Sequence, residues 1–74
     1  MINEIAKRAK ELGWEVVKME MVDSETAIVM VYREKAPIKK RPYSVHDFYG
    51  NGFYNGRYDL SKTRADMIFN LKAY

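Results

Sequence analysis

Two apolar runs separated by a short polar segment constrain the fold of this chain more than any other feature. The first run covers residues 14–22 (WEVVKMEMV) and the second covers residues 26–33 (TAIVMVYR). Both are rich in β-branched residues and methionine, and Asp23, Ser24 and Glu25 between them have the composition of a turn. The pattern predicts a β-hairpin at the centre of the fold.

The length of the turn decides which side chains of this hairpin share a face. A loop of three residues places Met19 opposite Val29 and gives one uniformly apolar face: Val17, Met19, Met21, Ala27, Val29 and Val31. A turn of two residues would instead gather a different set: Val17, Met19, Met21, Ile28 and Met30. We favour the longer loop, in which the second face mixes charged side chains with four large apolar ones: Val16, Ile28, Met30 and Tyr32.

An amphipathic segment precedes the hairpin and predicts a first helix over residues 2–12. Its apolar side chains recur at positions i, i+3, i+4 and i+7: Ile2, Ile5, Ala6, Ala9 and Leu12. Asn3 is suited to cap the start of this helix, and Gly13 is suited to end it in the left-handed conformation. Charges of both signs fill the opposite side, so we expect the helix to pack on the core.

A second helix is predicted over residues 61–73. Ser61 is a good N-cap for it, with Asp59 as the alternative. Its apolar stripe consists of Ala65, Ile68 and Leu71, flanked by Met67 and Phe69.

The segment between the hairpin and the second helix combines loop and strand signals. Pro37 and Pro42 exclude a helix across residues 34–42. Residues 43–58 then alternate aromatic side chains with glycines, and residues 50–52 have turn composition. Two interpretations stay open for residues 43–58: a short third strand and a tight hairpin, or an ordered loop.

The predicted fold is one α+β domain covering residues 1–74, in the order α-β-β-(β)-α. We expect two layers, a small antiparallel sheet with both helices on one face, because the sheet is the only large apolar layer available to the helices. The other face would then lie in water and expose Val16, Ile28, Met30 and Tyr32. An exposed apolar patch usually marks an interface, so we expect a possible homodimer face there unless the aromatic segment covers it.

Composition removes several classes of function. The chain has no cysteine and one histidine, His46, which excludes disulfides, thiolate metal sites and a structural zinc site built by one chain. His46 and Asp47 are the one acid–base pair worth considering, but neighbours along a strand point to opposite faces. We therefore predict a protein that is not an enzyme and has no cofactor or metal.

The sequence also bears on location. It contains no apolar run approaching the roughly 20 residues that a membrane-spanning helix needs. Its first residues lack the basic-then-apolar layout of a signal peptide. We therefore expect a cytoplasmic protein without a membrane partner.

Basic and aromatic residues concentrate between residues 35 and 58. The basic loop carries four cations and no acid over residues 35–42, and the net charge of +3 minus these four charges leaves −1 for the rest of the chain. The cations are Lys35, Lys39, Lys40 and Arg41; the residues that follow are Tyr43, Tyr49, Phe53, Tyr54 and Tyr58, with Arg57 among them. Cations neutralise phosphates and aromatic rings stack on unpaired bases, so the leading prediction is nucleic-acid binding through residues 35–58.

The same residues also suit a protein partner, because Tyr and Arg are enriched in interface hot spots. Small basic chains without catalytic groups are typical of accessory proteins of phages and mobile elements, including inhibitors of host enzymes. The alternative prediction is therefore a protein-binding accessory factor that acts on a host protein, alone or as a homodimer.

Overall fold

The computed structural model describes residues 2–74 and shows a four-stranded antiparallel sheet with a helix packed on each face. In chain order the elements are α1 (Ile2–Glu11), β1 (Trp14–Met21), β2 (Ala27–Arg33), β3 (Tyr43–Tyr49), β4 (Gly52–Leu60) and α2 (Lys62–Ala73). The strands lie in the sheet in the order β1-β2-β3-β4, so β1 and β4 are its edges. The predicted small α+β fold with an antiparallel sheet is confirmed.

The central hairpin has the register that the longer loop predicts, since Met19 lies opposite Val29. Asp23 organises the loop between β1 and β2. Its carboxylate accepts hydrogen bonds from the backbone N–H groups of Glu25 (2.8 Å) and Thr26 (2.7 Å). These hydrogen bonds hold the pKa of Asp23 below its usual value.

One irregularity in β1 changes the composition of the inner face. The register shifts between Val16 and Lys18, so Val16 lies opposite Val31 and Val17 has no partner. A bulge of this kind adds one residue to the strand, so the side chains on one side of it point to the opposite face of the sheet from the one that regular alternation predicts. Val16 therefore takes the place in the core that we predicted for Val17, which is exposed.

Residues 43–60 form a second hairpin of two strands. Of the two interpretations left open for residues 43–58, the ordered loop is therefore excluded. Tyr49 of β3 lies opposite Gly52 of β4, leaving Gly50 (φ 52°) and Asn51 (φ 67°) as the turn. Two successive residues with positive φ are typical of the type I′ turn, for which Asn and Gly are preferred. The chain therefore has a fourth strand that the sequence pattern did not predict.

The helices lie on opposite faces of the sheet, so the expectation of two layers with both helices on one face is wrong. Ile28 and Met30 pack in a cluster with Phe69 of α2, whereas Val29 packs in a second cluster with Ile5 of α1. Successive residues of a strand point to opposite faces, so β2 is covered from both sides. The physical reason is that residues 27–31 of β2 are all apolar, a pattern typical of strands buried on both faces.

The apolar patch that we expected to lie in water is not exposed. Ile28 is 4% and Met30 0% exposed, because α2 covers both. Tyr32 is half-buried and contacts the ring of Tyr43, while Val16 packs on the α1 side. The four residues share no surface, so the predicted homodimer face is wrong.

The helix ends follow their capping residues. Gly13 ends α1 with a φ of 75°, and the Ser61 hydroxyl caps α2 by accepting a hydrogen bond from the backbone N–H of Arg64 at 3.2 Å. Asn3 lies inside α1 and does not cap it. Neither helix among the described residues is long and apolar enough to cross a membrane.

Both helices bury narrower stripes than their sequences predict. In α1 the buried residues are Ile5 and Ala9, while Ile2 and Leu12 at the two ends of the predicted stripe are exposed. In α2 the buried residues are Ala65, Ile68 and Phe69, and Leu71 is exposed. Each helix therefore leaves apolar side chains at the surface.

Candidate nucleic-acid interface

Two bulges in β4 set the direction of the side chains on this edge of the sheet. Asn55 and Asp59 have positive φ (53° and 56°), and the pairing of β4 with β3 is irregular around these residues. Asn and Asp adopt this conformation more readily than other non-glycine residues. Each bulge adds one residue to the strand, so that residues three apart share a face across it.

The bulges divide the side chains of β4 between the two sides of the sheet. Tyr54, Arg57 and Leu60 lie opposite residues of β3 that face α2. Phe53 and Tyr58 lie on the α1 side. Regular alternation would have put Tyr54 and Tyr58 on one face.

An open cavity of about 550 Å³, which we call the aromatic groove, lies between α1 and β4. Four large side chains and four smaller or polar ones line it: Leu12, Trp14, Phe53 and Tyr58, with Arg8, Glu11, Asn51 and Gly52. The ring of Trp14 is 5.3 Å from that of Phe53 and 6.3 Å from that of Tyr58, centroid to centroid. Tyr58 is 49% exposed, so at least one ring is available to a ligand.

His46 of β3 lies beneath these rings and holds them in place. The indole of Trp14 stacks on the imidazole with the centroids 4.8 Å apart, and Phe53 and Tyr58 meet it edge-on at 5.5 and 5.0 Å. The hydroxyl of Ser44 forms a hydrogen bond of 2.8 Å with Nε2 of His46. Aromatic contacts of this kind fix the rings of the groove before any ligand arrives.

The imidazole of His46 is neutral at pH 7. Burial, and then the positive charges of Arg33 and Lys72, lower the pKa of His46 from 6.5 to about 4, while Asp47 opposes them. The ring that supports the three aromatic side chains of the groove is therefore uncharged. Asp47 lies on the other side of the sheet, as strand alternation predicts.

A second cavity, of about 440 Å³, continues the aromatic groove towards the basic loop, and we call it the loop cavity. It shares Glu11, Leu12 and Trp14 with the groove, and its lining extends to Arg33 and Lys35. The first cation of the basic loop therefore lies beside the aromatic groove. Glu11 and Glu34 add negative charge to the lining of the loop cavity.

A third cavity, of about 380 Å³, lies at the other end of the basic loop, and we call it the arginine cavity. It is lined by Arg41, Arg57, Asp59, Leu60, Ser61 and Arg64. None of its three arginines forms an ion pair with the residues that the structure describes. The basic loop thus connects two different cavities, beginning at Lys35 in one and ending at Arg41 in the other.

Three of the predicted aromatic residues line none of the three cavities. Tyr49 and Tyr54 stack on each other, 4.4 Å apart, beside the β3–β4 turn and therefore at the end of the sheet opposite the basic loop. Tyr43 packs against the core beneath α2. The predicted single surface is divided: Lys35, Phe53 and Tyr58 line the groove and the loop cavity, Arg41 and Arg57 line the arginine cavity, and Lys39 and Lys40 are exposed between them.

Ion pairs and hydrogen bonds anchor the bulges of β4. Asp59 faces Arg33, with 3.7 Å between Oδ1 and the guanidinium nitrogen, a charge contact that is too long to be a hydrogen bond. Asn55 donates a hydrogen bond of 2.8 Å to Asp47, which also lies 2.9 Å from Nζ of Lys72. Partial burial acts to raise the pKa of Asp47, but the hydrogen bonds from Asn55 and Lys72 outweigh it and hold that pKa below its usual value.

Sequence reasoning missed two residues that define these cavities. Trp14 is the first residue of β1, as predicted, but the sequence pattern did not indicate that its ring lines the groove. No sequence pattern indicated that Arg64 would share a cavity with Arg57, because their proximity depends on the bulge at Asp59.

The groups that line the cavities are aromatic rings and cations, and no cluster of three or more potential metal ligands occurs within residues 2–74. The chain was also compared with known proteins. No protein-family model, curated protein or solved structure matches it.

Proposed function

We propose that this protein is a cytoplasmic, non-enzymatic binding protein for single-stranded nucleic acid. The main support is the continuity of the aromatic groove with the basic loop, since Trp14 lines both the groove and the cavity that contains Lys35. Stacking rings beside a row of cations are the two elements that binders of single strands combine.

Partly exposed aromatic rings favour an unpaired strand over a duplex. In a duplex the faces of the bases stack on one another, whereas unpaired bases can turn outward and stack on aromatic side chains. Tyr58 offers the most exposed ring of the groove, with the guanidinium of Arg33 over one face at 4.8 Å from the ring centroid, and Trp14 and Phe53 are half-buried beside it. Each stacked base contributes about 1–3 kcal/mol of binding free energy.

The basic loop supplies the contacts to phosphate. Lys39 and Lys40 are exposed, and no described residue forms an ion pair with either of them. Each neutralised phosphate of a single strand contributes a slope of about −0.7 to the dependence of log K on log salt. With the four cations of the loop engaged, the binding constant should therefore fall by between about two and three powers of ten for a tenfold rise in salt.

The first experiment uses Trp14, the one tryptophan of the chain, as an internal probe of the groove. Titration with a single-stranded oligonucleotide at low salt should quench its fluorescence, because a base stacks in the groove. The variant Lys39→Glu with Lys40→Glu should abolish binding and keep the circular-dichroism spectrum of the fold.

The matched control is Lys7→Glu with Lys10→Glu, which makes the same change of charge on the exposed side of α1. It should weaken binding far less than the change in the basic loop. Failure of the unmodified protein to bind any single strand at low salt would refute the proposal.

A second pair of variants tests whether the groove is the stacking site. Tyr58 and Tyr54 are similarly exposed (49% and 45%), but only Tyr58 lines the groove. Tyr58→Ala should weaken binding about tenfold, which corresponds to the loss of one stacked base, and Tyr54→Ala should leave affinity unchanged. Equal losses in both variants would exclude the groove as the binding surface.

One observation supports the alternative, a protein-binding accessory factor of the phage or mobile-element type. The outer side of α2 carries a stripe of exposed apolar residues at i, i+4 and i+7: Met67, Leu71 and Tyr74, which are 50%, 77% and 83% exposed. Exposed stripes of this kind are found at protein interfaces, including those of homodimers. If this candidate is correct, Leu71→Glu should abolish capture of a host protein, or self-association in sedimentation equilibrium, without affecting nucleic-acid binding.

A further inference from the structure

We infer that the arginine cavity binds a phosphomonoester, and that the protein consequently prefers single strands with a phosphorylated end. The identification of the ligand as a strand end rests on the proposed function. The phosphate site itself rests on the geometry and charge of the cavity.

Three separate parts of the chain bring arginines to this cavity. Arg41 comes from the end of the basic loop, Arg57 from β4 and Arg64 from the first turn of α2. The bulge at Asp59 keeps Arg57 on the same side of the sheet as Leu60, next to the start of α2. Three like charges repel one another, so their convergence without ion-pair partners among the described residues favours an anionic ligand.

The balance of charge selects the kind of anion. The lining holds three arginines and one carboxylate, a net charge of +2, and Asp59 is further offset by Arg33 at 3.7 Å. A phosphomonoester carries about −1.5 to −2 at pH 7, which matches this charge. An internal phosphodiester carries a single negative charge and would leave part of the positive charge uncompensated.

The number of acceptor oxygens leads to the same choice. A terminal phosphate presents three free oxygens, and an internal phosphate presents two. Guanidinium groups bind phosphate oxygens in pairs of parallel hydrogen bonds, so three arginines suit the terminal group. The hydroxyl of Ser61 already accepts the hydrogen bond from the backbone of Arg64 and is not needed for this contact.

The position of the cavity agrees with an end-binding role. The basic loop runs from the arginine cavity at Arg41 to the loop cavity at Lys35, which adjoins the aromatic groove. A strand with its terminal phosphate held at Arg41 would follow Lys40 and Lys39 to reach the stacking rings. The aromatic groove lies on the α1 side of the sheet and the arginine cavity on the α2 side, so a strand that occupies both follows the basic loop around the end of the sheet.

The test compares three oligonucleotides of one sequence, carrying a 5′-phosphate, a 3′-phosphate or hydroxyls at both ends. Affinity is measured from quenching of Trp14. One phosphorylated strand should bind about fivefold more tightly than the hydroxyl strand, and which one it is gives the polarity. Arg57→Gln with Arg64→Gln should remove this preference, while the charge-matched control Lys7→Gln with Lys10→Gln should retain it.

A second measurement needs no nucleic acid. Titration with inorganic phosphate should shift the backbone amide resonances of residues 61–64 in the unmodified protein and not in the double arginine variant. Equal affinity for all three oligonucleotides, or a preference that survives the double arginine variant, would overturn the inference and leave the proposed function standing. Phosphate-induced shifts without any oligonucleotide binding would support the cavity and refute the proposed function, and failure of both measurements would refute both.

Discussion

The two sides of the sheet are covered in different ways. On one side α2 packs across β2, β3 and β4 and closes a continuous apolar cluster: Ile28, Met30, Val45, Leu60, Ala65, Ile68 and Phe69. On the other side α1 buries two of its own residues and closes a second apolar cluster with β2 and β3: Ile5, Ala27, Val29, Val31 and Phe48. The remaining area towards β4 is covered by a mutual stack of rings around His46.

This difference separates stability from binding within a chain of 74 residues. A domain of this size has little apolar surface to spare, so the α2 side and the cluster beneath α1 must together supply the core. The area between α1 and β4 can then leave rings partly open, because buried contacts among the rings keep them ordered. The side with the shorter helix is therefore the side with the aromatic groove.

The largest expected effect comes from placing a charge on the well-covered side. Met30→Glu should destabilise the fold by about 4 kcal/mol, because Met30 is 0% exposed and Lys18, the cation opposite it on β1, is already paired with Asp66. Met67→Glu makes the same change on the exposed side of α2 and should change stability by less than about 0.5 kcal/mol. Thermal unfolding followed by circular dichroism measures both, and similar melting temperatures for the two variants would show that α2 does not cover this face.

The next effect tests the close packing of rings on the groove side. A Cβ added at Gly56 would lie 2.6 Å from the ring of Tyr58 and 2.7 Å from the ring of His46, which is buried and cannot move aside. Gly56→Ala should therefore cost up to about 3 kcal/mol and change the emission of Trp14. Gly52→Ala meets the exposed ring of Tyr54 at 3.3 Å and should cost clearly less. Equal unfolding midpoints in denaturant for the two variants would contradict the stack around His46.

The smallest of the three effects is a dependence of stability on pH that comes from the groove side. The pKa of His46 is about 4 in the folded protein and 6.5 in the unfolded chain. Between these two pH values the unfolded chain therefore binds a proton that the folded protein does not bind. Stability should be nearly constant above about pH 7.5 and fall by about 2 kcal/mol between pH 7 and pH 5. The lowered pKa values of Asp23, Asp47 and Asp66 reduce stability mainly as the pH falls towards and below 3.8.

Denaturant unfolding at the two pH values measures this loss, with His46→Gln as the comparison. The glutamine does not titrate, so the variant should show almost no change over the same range. A loss of equal size in the variant would assign the pH dependence to other groups.

Local patterns in the sequence were sufficient for the turn register of the central hairpin and for two helix ends, the C-terminus of α1 and the N-terminus of α2. The register of Met19 with Val29, the cap at Ser61 and the end of α1 at Gly13 each depend on a few neighbouring residues. Placement of the helices depends on the whole sheet, and here the prediction was wrong. The unbroken apolar run of residues 27–31 contained the signal for two-sided burial, but the prediction gave more weight to alternation.

The candidate site was less predictable, because its geometry depends on the bulges in β4. Asn55 precedes a glycine and therefore has the composition of a turn, but the turn forms at Gly50 and Asn51 and leaves Asn55 as a bulge. That bulge separates Tyr54 from Tyr58, and the one at Asp59 places Arg57 near Arg64. The residue types predicted a site made of aromatic rings and cations. Which of these residues lie together in one cavity could be seen only in the three-dimensional structure.

The irregular pairing of the outer strands has a further consequence, for behaviour at high concentration. β1 is interrupted at Val17, and β4 is interrupted at Asn55 and Asp59, so neither edge presents an even row of free backbone donors and acceptors. A neighbouring molecule cannot extend the sheet across such an edge without losing hydrogen bonds. The chain is thus protected against edge-to-edge aggregation and fibril growth, even though β2 has a sequence that would favour both if it were exposed.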